Sequence, residues 1–164
     1  KKLILGNVAG FGEAGQADLL HRFEVGFPIK ADGSHLMERW QARSRYIGTP
    51  ELNHRWVLDD LKCHGHPLYA VWAVGHYCTE APARFRQIQH PTLILWGIDD
   101  MEEFERLGLA LARDRFFLSE AIPHGEVVEF DNGTICMMNQ IPEAVAAAVL
   151  PFLAAPQAQP QPSP

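Results

Sequence analysis

The chain has 164 residues and a net charge of −6, with 47% hydrophobic and 21% charged residues. This composition is typical of a globular protein with a core of its own, rather than of a disordered chain. The basic residues are scattered, which excludes nucleic acid as a main partner, because phosphate binding requires clustered Lys and Arg. No apolar run approaches the ~20 residues that cross a bilayer, so we expect no membrane segment.

The cysteines and the first residues bear on compartment and partners. Three cysteines, Cys63, Cys78 and Cys136, are too few for a disulfide framework. Their odd number favours a reducing compartment, and we expect a cytoplasmic protein. The chain begins with two lysines and enters a strand at once. Because a domain seldom starts within a sheet, we expect either a missing N-terminal half or self-association of the chain.

A short strand and a block of helices open the chain. The apolar run Leu3–Asn7 predicts a strand, and a loop rich in glycine follows it. From Ser34 to about Gln87 the apolar spacing is helical, and turn residues recur at regular intervals. Asp32 or Ser34 is expected to cap the first helix, and Thr49, which precedes a proline, to cap the second.

Strands and helices alternate in the second half of the chain. The short apolar run that Pro91 opens predicts a strand buried on both faces of a parallel sheet. The later patterns predict helices over 102–113 and 116–122, a strand over 126–130 and a closing helix over 142–154. This alternation predicts an α/β fold with a mostly parallel sheet. The Pro- and Gln-rich tail, 155–164, is predicted to be disordered.

Two carboxylates, Asp99 and Asp100, follow the strand that Pro91 opens. They lie at its C-terminal end, which is the edge of an open α/β sheet where ligands and catalytic groups gather. An acid held there by a rigid strand is a candidate for chemistry. The alternative is structural, because an acid just before the helix 102–113 caps the free N–H groups of that helix.

Three separated segments resemble the α/β-hydrolase superfamily, and the resemblance covers nearly all of residues 1–154. Residues 2–7, Lys-Leu-Ile-Leu-Gly-Asn, are similar to the strand that follows the nucleophile helix. Residues 91–100 end in Gly-Ile-Asp-Asp, like the Gly-x-x-Asp ending of the strand that supplies the catalytic acid. Residues 140–153, from Gln-Ile-Pro-Glu-Ala-Val to Phe-Leu, are similar to the closing helix.

The resemblance implies a partial α/β-hydrolase fold, the C-terminal portion, with the nucleophile half absent. Residues 1–33 are then a core strand and loop, and residues 34–88 fall where the family inserts its helical cap, or lid. Residues 89–154 are the C-terminal part of the core, and the tail 155–164 lies outside the fold.

The family uses a Ser, Asp or Cys nucleophile, a His base and an acid that orients the base. The resemblance assigns the orienting acid to Asp100, with Asp99 as the second choice. It places the base position at Thr134 or Ile135, and neither side chain accepts a proton as imidazole does near neutral pH. The nucleophile motif Gly-x-Ser-x-Gly does not occur in the chain. The chain therefore supplies at most one member of a triad.

Other candidate residues have both a functional and a structural interpretation. Trp40, Trp56 and Trp72 in the helical block either line an apolar substrate pocket or pack between helices. His124 is expected to be exposed on a turn, and Cys136 to be buried in a loop.

Several cysteines and histidines of the helical block lie at short spacings: Cys63, His64, His66, His76 and Cys78. Structural zinc sites use paired Cys-x2–4-Cys or His-x3–5-His arms, which these spacings match poorly. We therefore expect ordinary buried cysteines and surface histidines, with no metal and no cofactor.

Two functions fit the sequence, and they leave open whether the protein is an enzyme. The first is hydrolysis of an ester or related bond in a small apolar substrate, carried out by a full-length protein of which this chain is a part. The second is a non-catalytic relative that acts in binding or assembly. The replaced histidine favours the second function, and the well-formed strand and helix signatures favour descent from the first.

Overall fold

A computed structural model describes residues 1–6, 28–44, 47–63, 77, 80–81, 83–106 and 120–156. In chain order, these residues form the elements β1 (Leu3–Gly6), α1 (Ser34–Ser44), α2 (Pro50–Cys63), β2 (Thr92–Gly97), α3 (Ile98–Arg106), β3 (Gly125–Phe130), α4 (Met137–Gln140) and α5 (Pro142–Ala154). None of the helices within these ranges is long and apolar enough to cross a membrane.

The sheet has three parallel strands in the order β1-β2-β3. Leu3 pairs with Thr92 on one side of β2, and Thr92 pairs with Gly125 on the other. All six residues of β2 are buried, which explains why its sequence is a continuous apolar run rather than an alternating one. The predicted parallel sheet and α/β fold class are confirmed.

Helix α5 covers one face of the sheet. The core there joins Leu93 and Leu95 of β2 to Phe130, Met137 and Val145. The residues of α5 and its N-terminal flank that reach this core recur at helical spacing: Ile141, Val145, Ala148, Val149 and Phe152. The observed bounds of α5 coincide with the predicted closing helix.

Lys2 attaches the start of β1 to the end of α5. Its Nζ donates to the carbonyl oxygens of Phe152, of Leu153 at 3.0 Å and of Ala155 at 2.5 Å. The ammonium group therefore meets the negative end of the helix dipole, where a cation is favourable.

Side chains just before α1 and α2 satisfy the first N–H groups of these helices. Asp32 Oδ1 accepts hydrogen bonds from Ser34 N at 3.0 Å and Ser34 Oγ at 2.8 Å, and these bonds lower the pKa of Asp32. Thr49 Oγ1 accepts from Leu52 N at 3.3 Å. The predicted caps at Asp32 and Thr49 are thus confirmed.

The two helices pack on each other through polar contacts as well as apolar ones. Arg39 of α1 forms an ion pair with Asp60 of α2 at 2.5 Å, and both side chains are largely buried. Asn53 Nδ2 donates to the Trp40 carbonyl at 3.1 Å. That α1 and α2 belong to a cap over residues 34–88 stays a prediction.

Three local expectations need correction. The helix after β2 begins at Ile98, four residues before the predicted start at residue 102, and its described part ends at Arg106. Asp99 and Asp100 lie in its first turn, where carboxylates interact favourably with the helix dipole. Strand β3 starts one residue earlier than predicted, and α4 was not predicted. Most of the predicted helix 116–122 lies outside the described residues.

Candidate functional site at the C-terminal edge of the sheet

The C-terminal ends of β2 and β3 lie side by side, because Gly97 pairs with Phe130. The loop after β3 then crosses the end of β2 at very short range. A Cβ atom built on Gly97 would lie 2.1 Å from the Gly133 carbonyl oxygen and 2.8 Å from Thr134 N. Position 97 therefore has room for glycine alone, and this approach fixes the loop over the place where β2 becomes α3.

Asp100 lies at this edge, as the resemblance implies. Its side chain is nearly inaccessible, at 2% exposure, within the first turn of α3. Asp100 is the third residue of this helix, where a carboxylate can still interact with the free N–H groups of the first turn, so the structural alternative stays open. A buried carboxylate requires a partner in either role, since an isolated one is costly. The role of orienting acid stays a prediction.

Asp99 has a different environment from Asp100. It is partly exposed and lines a cleft of about 550 Å3, which we call the acidic cleft. The cleft is lined by Gly48, Asp99, Glu102, Glu103, Arg106, Asn132 and Gln140. Arg106 Nε donates to Glu103 Oε2 at 2.7 Å, and this pairing raises the pKa of Arg106. Three carboxylates against one guanidinium leave the lining negative.

A second cleft, of about 490 Å3, adjoins the first, and we call it the polar cleft. It is lined by Gly48, Thr49, Glu51, Leu52, Arg55, Asn132, Asn139, Gln140 and Ile141. Gly48, Asn132 and Gln140 therefore line both clefts. The walls come from the turn before α2, the loop after β3 and the end of α4.

Thr134 and Ile135, the two candidates for the base position, have opposite environments. Ile135 is 48% exposed, whereas Thr134 is fully buried. Cys136 N donates to Thr134 Oγ1 at 3.1 Å, and the hydroxyl donates to Gln140 Oε1 at 2.8 Å. Thr134 N also donates to Gln140 Oε1, at 3.0 Å. The hydroxyl thus accepts from the N–H of Cys136, the residue before α4, and its proton is already committed to Gln140.

The histidines of the described residues lie elsewhere. His124 is exposed, as expected, and its carbonyl accepts from Thr92 N at 2.9 Å, which places it at the N-terminal edge of the sheet. Neither it nor His35, His54 or His90 lines either cleft.

The tryptophans expected to line a substrate pocket are not brought to these clefts. Trp40 and Trp56 are partly buried on α1 and α2, and neither is among the lining residues. Trp72 lies outside the described residues. An aromatic pocket stays a prediction.

Candidate metal ligands do not form a cluster in the described part of the chain, where no group of three or more His, Cys, Asp or Glu side chains has suitable geometry. Cys63 ends α2, and His64, His66, His76 and Cys78 lie outside the described residues. Cys136 is buried, as predicted.

Sequence reasoning missed the residues that build the shared wall of the clefts. The sequence assigns no functional role to Gly48, and the resemblance includes Gln140 only as the first residue of the closing segment. Gly48 has a positive φ of 106°, and the local Gly-Thr-Pro sequence indicates a turn there. The proximity of Gly48 to Gln140, however, joins two positions that are far apart in the chain. No single-sequence pattern reports such a contact.

No protein-family model and no curated protein matches the sequence. Solved structures do match in fold. One is MGS-M2, an α/β-hydrolase enzyme from a Medee basin deep-sea metagenome library, with a TM-score of 0.54, 18% identity and coverage of 98% of this chain and 58% of that one. Another is a hydrolase from Pseudomonas aeruginosa PA01, with a TM-score of 0.64, 17% identity and coverage of 94% and 56%. A third is Rv0554 from Mycobacterium tuberculosis, with a TM-score of 0.54, 16% identity and coverage of 96% and 57%.

These matches define the fold class. The chain carries part of the α/β-hydrolase fold and spans little more than half the length of the structures it matches. At 16–18% identity the likeness concerns the fold alone.

Proposed function

We propose that this chain is part of an α/β-hydrolase-like protein that binds a small molecule at the C-terminal edge of its sheet without histidine-assisted hydrolysis. The observation that carries the proposal is the environment of Thr134. Thr134, one of the two residues that the resemblance assigns to the base position, is fully buried and directs its proton to Gln140. A threonine hydroxyl is also a poor base near neutral pH. It binds an extra proton only in strong acid and loses its own proton only in strong base.

The form of the edge supports a binding role. Two adjoining clefts, of about 550 and 490 Å3, open there, which is the size range of small-molecule sites. Their walls offer amides and carboxylates from Asn132, Gln140 and Asp99. An apolar substrate was expected from the tryptophans, and it remains a proposal that neither cleft supports.

Ester hydrolysis by the full-length protein is the second candidate, and the burial of Asp100 favours it. A carboxylate at 2% exposure in the first helical turn after β2 supports the orienting role that the resemblance assigns to Asp100. In that case a histidine from another part of the protein would have to reach Asp100.

Hydrolysis of p-nitrophenyl butyrate by the full-length protein separates the two candidates. The informative variant is Asp100→Asn, which keeps the shape of the buried side chain. Asp99→Asn is the matched comparison, because it removes the adjacent carboxylate, which is the second choice for the orienting acid. We expect both variants to hydrolyse the ester at the wild-type background rate. Removing a true triad acid lowers kcat by on the order of 10⁴-fold, and such a loss in one of the two variants alone would support the enzyme instead and identify its acid.

A further inference from the structure

The side chain of Gln140 connects two segments that are 93 residues apart in sequence. Its Nε2 donates to the Ile47 carbonyl at 2.7 Å, and its Oε1 accepts from Thr134 N and Thr134 Oγ1. Ile47 and Thr134 are both fully buried. We call this set of three hydrogen bonds the Gln140 bridge.

A carboxamide makes all of these bonds at neutral pH, whereas a carboxylate cannot. The Thr134 N–H requires an acceptor, and the Ile47 carbonyl requires a donor, so one side chain must present both at the same time. The Thr134 hydroxyl donates to Oε1, because an amide oxygen can only accept, and the hydroxyl oxygen in turn accepts from Cys136 N. The surrounding backbone thus fixes the orientation of the amide.

The turn beside Ile47 is shaped to receive this amide. Gly48 has φ 106°, a left-handed conformation that glycine tolerates best. A Cβ on Gly48 would lie 3.0 Å from Gln140 Nε2, so a side chain there would crowd the amide as well. Both residues line the acidic and the polar cleft.

We propose that the Gln140 bridge is a closing contact between the turn that precedes α2 and the loop after β3, and that its release opens both clefts together. The contact sets how closely α2 approaches the sheet edge, whatever chemistry occurs there. This inference therefore stands independently of the proposed function.

The substitution Gln140→Glu tests the two sides of the bridge separately. A carboxylate still accepts both hydrogen bonds from Thr134, but it cannot donate to the Ile47 carbonyl and places an oxygen against it. We would follow hydrogen exchange of the full-length protein by mass spectrometry. The backbone amides of residues 47–53 should exchange about 3- to 10-fold faster than in the wild type, because the variant loses one net hydrogen bond. Exchange over 131–137 and in β2 should stay at the wild-type rate.

Asn139→Asp is the matched control. Asn139 is exposed, adjoins Gln140 and lines the polar cleft, so the change introduces the same charge beside the bridge without touching it. This variant should exchange like the wild type. Equal acceleration over 47–53 in both variants would overturn the proposal, as would an unchanged rate in Gln140→Glu.

Lowering the pH distinguishes the loss of the hydrogen bond to Ile47 from a general loss of stability in Gln140→Glu. Protonation gives the introduced carboxyl an O–H that can donate to Ile47 again, so the difference from wild type at the same pH should shrink. The charged groups that line the clefts around this position are Asp99, Glu102, Glu103, Arg106, Glu51 and Arg55. Their own titration is common to both proteins, and their repulsion of an introduced carboxylate is measured by Asn139→Asp at the same pH. A difference that persists or grows as the pH falls would contradict the bridge.

Discussion

The contact between Gly97 and Gly133 shows how a single missing side chain shapes the site. Gly97 has no need of an unusual backbone angle, and its constraint is purely steric, because the Gly133 carbonyl occupies the position of a Cβ. The loop after β3 can therefore lie directly on the end of β2, which brings Thr134 and Asn132 to the same edge as Asp99.

We expect Gly97→Ala to destabilise the protein by at least about 1–3 kcal/mol, because the loop must move away from β2. Thermal or denaturant unfolding measures this loss. Gly6→Ala serves as the control, because among the residues that the structure describes a Cβ there would meet Met138 Cε alone, at an ordinary 3.8 Å. Equal stability of the two variants would show that the loop yields without cost.

At the same scale, the sequence predicts some site residues and not others. The position of Asp100 follows from a local pattern, an apolar strand that ends in Gly-Ile-Asp-Asp. The role of Gln140 depends on a carbonyl 93 residues away and on the turn at Gly48. Local patterns report the first kind of residue, whereas only tertiary structure reveals the second.

The start of α1 shows how an element depends on one carboxylate. Asp32 Oδ1 accepts both hydrogen bonds from Ser34, and the backbone bond is the largest cause of its lowered pKa. A carboxyl whose pKa is lower in the folded state stabilises the fold above its unfolded pKa and loses that effect as the pH falls.

We therefore predict that the Ser34 amide signal in an NMR titration shifts with a midpoint below 3.8, the ordinary pKa of aspartate. Asp32→Asn should abolish the titration while leaving α1 folded, since asparagine also caps helices well. A midpoint at or above 3.8 would contradict the hydrogen bonding described for this cap.

The elements differ in how far sequence anticipates them. Strand β2 and helix α5 have strong patterns, a continuous apolar run and a long helical stripe that starts with proline, and their predicted positions are confirmed. The start of α3 was misplaced because Gly97 normally signals a break, whereas here it meets Gly133 and the helix follows at once. Helix α4 has four residues, so it is too short for any periodic signal.

On the scale of the whole molecule, β1 is an edge strand of the described sheet, with β2 on one side only. Leu150 and Leu153 on the outer side of α5 are also exposed, at 63% and 51%. Unpaired strand edges and apolar surface both favour association between chains.

We predict that the isolated 164-residue chain self-associates, and that light scattering after size exclusion will report species larger than a monomer. The double change Leu150→Glu and Leu153→Glu should reduce this association but not abolish it. The association that remains would come from the unpaired edge of β1. A monodisperse monomer with a cooperative melting transition would contradict this prediction.

The wall that the two clefts share has a thermodynamic consequence. Gly48, Asn132 and Gln140 face both spaces, so a ligand that shifts this wall on one side changes the affinity of the other side. Such coupling is reciprocal: if occupation of the acidic cleft changes affinity in the polar cleft by some factor, the reverse effect has the same factor. Gln140 is then the side chain through which a ligand in one cleft changes the binding free energy of a ligand in the other.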